Sequence, residues 1–169
     1  MAISPKISIT VSGDAQLERA FNLMASRIED WRPIWDDIST IWYIAEQAYY
    51  STEGLGAWPQ LSDGYKKWKE KHYPGRQILE LTGDLKASLS SKTAAGAVYR
   101  AGPKQLNIGT AIWYAKYHQQ KGRKGRIIPK RAPVIEKLDQ AYLNSMARIA
   151  VNRFGAYAAS LGFKTKKGG

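Results

Sequence analysis

Residues 15–51, AQLERAFNLMASRIEDWRPIWDDISTIWYIAEQAYYS, set the architecture. Leu17, Phe21, Met24, Ile28 and Trp31 recur at spacings of four, three, four and three, which is one face of a helix over about 15–31. Gly13 precedes it, Asp14 is its expected N-cap, and Glu18 favours the positive end of the helix dipole. Pro33 is tolerated at a helix start and not within one, so the chain is expected to bend at Arg32-Pro33. Ile34, Ile38, Ile41, Ala45 and Ala48 then repeat the spacing as far as Ser51. Trp35, Trp42, Tyr43, Tyr49 and Tyr50 widen that second helix's apolar surface beyond one stripe. Such a helix is either central in the core or wedged against another subunit. Trp35, Trp42 and Tyr49 on this helix, with Trp58 and Trp113 further along the chain, are the candidates for subunit packing.

Upstream, Ile7, Ile9 and Val11 alternate with Ser8, Thr10 and Ser12, predicting a strand over 6–12. Downstream, Gly54, Gly56, Pro59, Asp63 and Gly64 mark a loop, followed by a short helix around Tyr65–Lys71 and a turn at Pro74-Gly75. Leu79, Leu81, Leu85 and Leu89 predict another short helix with Thr82 as its N-cap. Residues 97–101 and 106–110 flank Gly102-Pro103-Lys104-Gln105 and read as a β-hairpin. A short aromatic segment, 112–120, leads into a glycine-containing basic loop, and Ile127-Ile128-Pro129 reads as an edge strand. A long terminal helix is expected from Val134 to near Gly162. The predicted fold is α+β: a small antiparallel sheet with a β-hairpin, a hinged N-terminal helix pair and a long C-terminal helix. It forms a single domain over 1–163, with a basic tail at 164–169.

The 169 residues contain 26 Lys+Arg and 14 Asp+Glu, a net charge of +12, and the charge is uneven. Residues 1–63 carry 4 basic and 9 acidic side chains, and 64–169 carry 22 and 5. The densest run is Lys116, Lys121, Arg123, Lys124, Arg126, Lys130 and Arg131, with no acid among them. Such polarity points to an electrostatic partner, either a polyanion or an acidic surface. With no cysteine and only His72 and His118, disulfide scaffolds, thiolate-bound metals and multi-histidine centres are excluded. No stretch approaches the roughly 18 apolar residues needed to span a bilayer, and no secretory signal opens the chain. A soluble protein made in a cytoplasm, without membrane contact, is expected.

Catalytic chemistry is hard to find. Asp36 and Asp37 are adjacent and so diverge by about 100° on a helix. Glu80 and Asp84 sit where a helix dipole accounts for them. Neither a phosphate-binding Gly-rich loop nor a nucleophile elbow is present. Gly122-Arg123-Lys124-Gly125 matches a backbone clamp for nucleic acid but lacks the helical context. No enzyme activity and no cofactor are expected.

The order of segments carries more than any one of them. Trp58-Pro59-Gln60-Leu61-Ser62 is followed by Leu79-Glu80-Leu81-Thr82-Gly83-Asp84-Leu85-Lys86-Ala87-Ser88, then Gly109-Thr110. Tyr114-Ala115-Lys116-Tyr117-His118-Gln119-Gln120-Lys121-Gly122 and Ile128-Pro129-Lys130-Arg131-Ala132-Pro133 complete the series. This succession resembles the phage virion morphogenesis family, the Mu-like tail completion proteins, over about residues 5–150. The resemblance implies a structural virion protein at the neck or tail end, assembled in the host cytoplasm as a homo-oligomeric ring. It implies tail terminator or tube proteins, or a head connector, as partners, with genomic DNA in the channel. The basic residues from Lys116 to Arg131 then face DNA or an acidic neighbour. Thr82 is expected to cap its helix, and Gly109 and Gly122 to take backbone angles closed to other residues. His118 is expected to hydrogen-bond a backbone carbonyl and Arg131 to pair with a carboxylate. The rival reading is a non-enzymatic DNA-binding protein using the 116–131 loop.

Overall fold

A computed structural model of the chain describes residues 15–119 and 129–163. The helices are α1 (Ala15–Glu29), α2 (Arg32–Ser51), α3 (Asp63–His72) and α4 (Asp84–Ser90). Strands β1 (Ala97–Ala101) and β2 (Leu106–Thr110) follow, then α5 (Ala115–Gln119) and α6 (Gln140–Ser160). The architecture is α+β, as the sequence predicts. The strand expected over 6–12 and most of the one at 127–129 lie outside the described residues.

The α1–α2 hinge bends the pair by 40°. Pro33 supplies no N–H there, and Asp30 takes the donors left over at the break. Its carboxylate accepts from the Arg32 backbone N–H at 3.0 Å and from the Arg32 guanidinium at 2.7–3.1 Å. Those bonds lower the Asp30 pKa to about 2. The Trp31 N–H donates to Pro103 O at 2.8 Å, fixing the hinge against the hairpin turn.

Helix α2 is the centre of the molecule. It buries Ile34, Trp35, Ser39, Ala45, Glu46 and Tyr50 and packs against both α4 and α6. Trp35 Nε1 donates to Gly102 O at 2.7 Å and Tyr99 Oη to Asp36 Oδ1 at 2.7 Å, so the hairpin is tied to the start of α2 at its turn and at the middle of β1. The hairpin pairs antiparallel from Ala97 opposite Thr110 to Ala101 opposite Leu106. Helix α6 is held to α1 and the hinge by aromatic contacts of Phe154 with Trp31 and of Phe163 with Phe21. Tyr50, Trp58, Ile78, Leu85, Leu89 and Ala115 form the main core, with Trp42, Tyr49, Ile112, Tyr114 and Val134 packed around it.

Three local expectations are corrected. Helix α4 begins only at Asp84, because Gly83 takes the N-cap position with φ +97°. Thr82 stands one residue further out, its hydroxyl donating to the Asp84 carboxylate at 2.8 Å. Gly109 sits in β2 opposite Val98, where strand pairing keeps it out of the left-handed region. Helix α6 starts at Gln140 and not at Val134, because tertiary hydrogen bonds hold 134–135. Gln119 brackets Val134, accepting from its N–H at 3.1 Å and donating to its carbonyl at 3.2 Å. The Ile135 N–H donates to Glu46 Oε1 at 2.9 Å. Asp139 is the actual N-cap, accepting from Ala141 N at 2.8 Å.

After α2 the chain reverses through four consecutive residues of positive φ: Glu53 (+49°), Gly54 (+71°), Leu55 (+58°) and Gly56 (+76°). The turn is closed by Gly54 N–H to Tyr49 O at 2.8 Å and Trp58 N–H to Glu53 O at 3.1 Å. A Cβ on Gly54 falls 2.3 Å from the Trp58 indole. Gly54→Ala therefore combines backbone strain with a clash in the core. It is expected to lower unfolding free energy by about 2–4 kcal/mol in urea titration, and a loss under about 0.5 kcal/mol would contradict this packing.

Candidate assembly site at the motif junction

The five sequence segments that define the family resemblance meet in space. The hub is Arg131, which keeps only 7% of its surface exposed. Its Nε donates to Pro59 O at 2.6 Å and its Nη2 to Gln60 O at 2.8 Å, locking the last segment onto the first. The Arg131 backbone N–H donates to His118 O at 3.1 Å, which brings in the fourth segment. Thr110 and Ser88 join their hydroxyls at 2.7 Å, linking the third segment to the second. Trp58, Leu85 and Ala115, drawn from three segments, lie in one apolar cluster with Leu89.

Two expected roles change here. Arg131 pairs with backbone carbonyls and not with a carboxylate, since the nearby acid, Glu53, acts on it only through space. Burial pulls the Arg131 pKa below its usual range, with Glu53 opposing that shift. For His118 the carbonyl does the bonding, while the ring Nδ1 is buried with no hydrogen-bond partner among the described residues. Burial, then the Arg131 charge, lowers the His118 pKa and favours the neutral imidazole.

The remaining basic candidates fare differently. Lys130 pairs with Glu136 at 2.5 Å, and the Lys116 ammonium lies 5.2 Å from the Tyr117 ring centroid. Lys121, Arg123, Lys124 and Arg126 lie outside the described residues, as do Gly122 and the tail. Among the subunit-packing candidates, Trp35 and Trp58 are buried inside the chain's own core, so their rings are already covered. Trp42 and Tyr49 pack partly buried against that core. Trp113 is 71% exposed, beside Tyr114 and Tyr117.

Four of the nine acidic side chains of residues 1–63 are paired within the chain. Asp30 pairs with Arg32 at 2.7 Å, Glu29 with Lys104 at 3.0 Å, Asp36 with Lys92 at 2.8 Å and Asp37 with Arg153 at 2.6 Å. Three of those four cations come from the basic remainder. Glu53 Oε1 accepts from Ile78 N–H at 3.4 Å.

Glu46 was not singled out by the sequence, where it reads as one polar residue on an aromatic helix. It is almost wholly buried, one oxygen receiving Ile135 N–H and the other without a partner among the described residues. Desolvation raises its pKa from 4.5 to about 7. Lys69 is also buried, its ammonium on Gln77 O, and burial lowers its pKa. The described residues contain no cluster of His, Cys, Asp or Glu able to hold a metal ion, and no helix long and apolar enough to cross a membrane.

Two outcomes follow from this geometry. Arg131→Met leaves two inward carbonyls unpaired and is expected to cost about 3 kcal/mol of stability, with Arg131→Lys between it and the parent protein. Equal urea midpoints for the methionine variant and the parent protein would contradict the clamp. For Glu46 the folded pKa lies above the unfolded one, so the native state binds more protons and stability falls as pH rises from about 4.5 to about 7. Glu46→Gln should remove that contribution, up to about 3 kcal/mol, and flatten the curve of stability against pH. Parallel curves for the two proteins would contradict it. Comparison with protein-family models, curated proteins and solved structures found no match for this chain.

Proposed function

We propose that this chain is a structural component of a tailed-bacteriophage virion, a tail completion or neck protein at the head–tail junction. It works as a homo-oligomeric ring between tail terminator or tube proteins and the head connector, by shape and surface complementarity and without turnover. The observation that carries this reading is the mutual contact of the described residues of the five ordered segments, 58–62, 79–88, 109–110, 114–119 and 129–133. Their described residues share one interior and tie one another's backbones, which suits a part whose task is to hold a shape.

A DNA-binding role for the 116–131 loop is the second reading. It is favoured by the internal pairing of Glu29, Asp30, Asp36 and Asp37, which leaves more of the chain's excess cations to an outside anion.

Interrupting the gene in the phage that encodes the protein separates these readings. The neck role predicts lysates of filled heads and finished tails that fail to join, with joining restored by the intact gene. Normally joined, infectious particles would sink it. Charge reversal at Arg123, Lys124 and Arg126 together is expected to block joining or DNA passage, and normal infectivity of that variant would remove the basic loop from either role.

A further inference from the structure

At about 100° per residue, Lys66, Lys69 and Glu70 share one face of α3. That face lines a pocket of about 280 Å³, closed on its other sides by Glu53, Gln60 and the 75–78 segment. Lys69 is only 5% exposed. Its ammonium carries three N–H donors, and among the described residues a single acceptor bonds to it, Gln77 O. No carboxylate of the described residues stands within ion-pair reach of it. The charges around Lys69 do not balance either. Glu80 and Glu53 attract it, while Arg131 and Arg76 repel it. Glu80 is already ion-paired with Lys86. Glu53 is shared between two buried cations, because it acts on Arg131 as well. Lys66 and Arg76 are exposed where they line the pocket, and their side chains have no hydrogen-bond or ion-pair partner among the described residues. Five cations, Lys66, Lys69, Arg76, Lys86 and Arg131, therefore stand against three carboxylates, Glu53, Glu70 and Glu80.

We propose that this pocket binds a dianionic phosphate group, inorganic phosphate or a phosphate monoester, with Lys69 at its floor and Lys66 and Arg76 at its mouth. A buried ammonium short of acceptors and of a counter-ion is costly, and an oxyanion supplies both at once. The size of the surplus chooses the ligand. Two positive charges in excess match a phosphate dianion and are more than one carboxylate neutralises. Arg76 adds a planar fork of donors suited to two oxygens of one phosphate. Glu70, on the same face as Lys66 and Lys69, has no ion pair among the described residues and opposes an anion there. The site is independent of the 116–131 loop and of whether the chain sits at a phage neck.

The test is isothermal titration calorimetry of the full chain with inorganic phosphate and with glycerol phosphate, at about pH 8 and at an ionic strength held constant with sodium chloride. Variants are Lys69→Met, Arg76→Gln and Glu70→Gln, with circular dichroism to confirm folding. Saturable binding of one phosphate per chain is expected for the parent protein, and the tighter of the two probes tells free phosphate from a monoester. Lys69→Met should abolish it. Arg76→Gln, a surface change that keeps the test decisive if the methionine variant fails to fold, should weaken it about tenfold. Glu70→Gln should tighten it. No saturable binding of either probe by the parent protein overturns the proposal. So does parent-like affinity in Arg76→Gln or in folded Lys69→Met, which would put the phosphate elsewhere on the chain, and so does weaker binding in Glu70→Gln. Displacement of phosphate by an equal concentration of acetate overturns it in favour of a carboxylate ligand.

Discussion

A guanidinium cannot be buried without acceptors, and the placement of Arg131 dictates much of what surrounds it. Its acceptors, the carbonyls of Pro59 and Gln60, are in reach only because the left-handed turn at 53–56 folds the chain back under α2. Once Arg131 is held, Ala132 and Pro133 are buried and Val134 packs at the core's edge. Ile135 is then delivered to Glu46, and α6 is released to begin at Gln140, capped by Asp139, and lie along α2. One buried cation thus joins segments more than seventy residues apart and sets where the terminal helix starts.

The charge asymmetry takes on a different meaning in three dimensions. In the sequence it is an acidic front and a basic remainder, available for docking between neighbouring copies. In the structure Lys92, Lys104 and Arg153 reach back to the acids of the first two helices. These are mostly exposed pairs, each contributing little to stability by itself. Their consequence is electrostatic: they offset the charge of Glu29, Asp30, Asp36 and Asp37 within the chain.

The sequence was most legible where local pattern and tertiary structure agree. Apolar spacing located α1 and α2, Pro33 located the hinge, and Gly102-Pro103 located the hairpin turn. It misled where long-range hydrogen bonds override local preference. Val134–Leu138 has a helical pattern, yet Gln119 and Glu46 hold its backbone elsewhere. Leu79 and Leu81 fit a helical stripe, yet Leu79 has φ +62° and the helix waits for Gly83. The five segments could be found in order, but not the contacts that unite them. No local signal shows that Arg131 and Pro59 meet, or that Glu46 is the buried carboxylate. The α3 segment reads in the sequence only as a short helix around Tyr65–Lys71, and the stacking of its exposed rings is visible only in the structure.

Cryo-electron microscopy of the mature virion is the most direct measurement. A closed ring of this chain at the head–tail joint, with Arg131 seated on the 59–60 carbonyls in every subunit, is the expected result. A joint built entirely from other chains, with this protein absent from the particle, would contradict the proposed role.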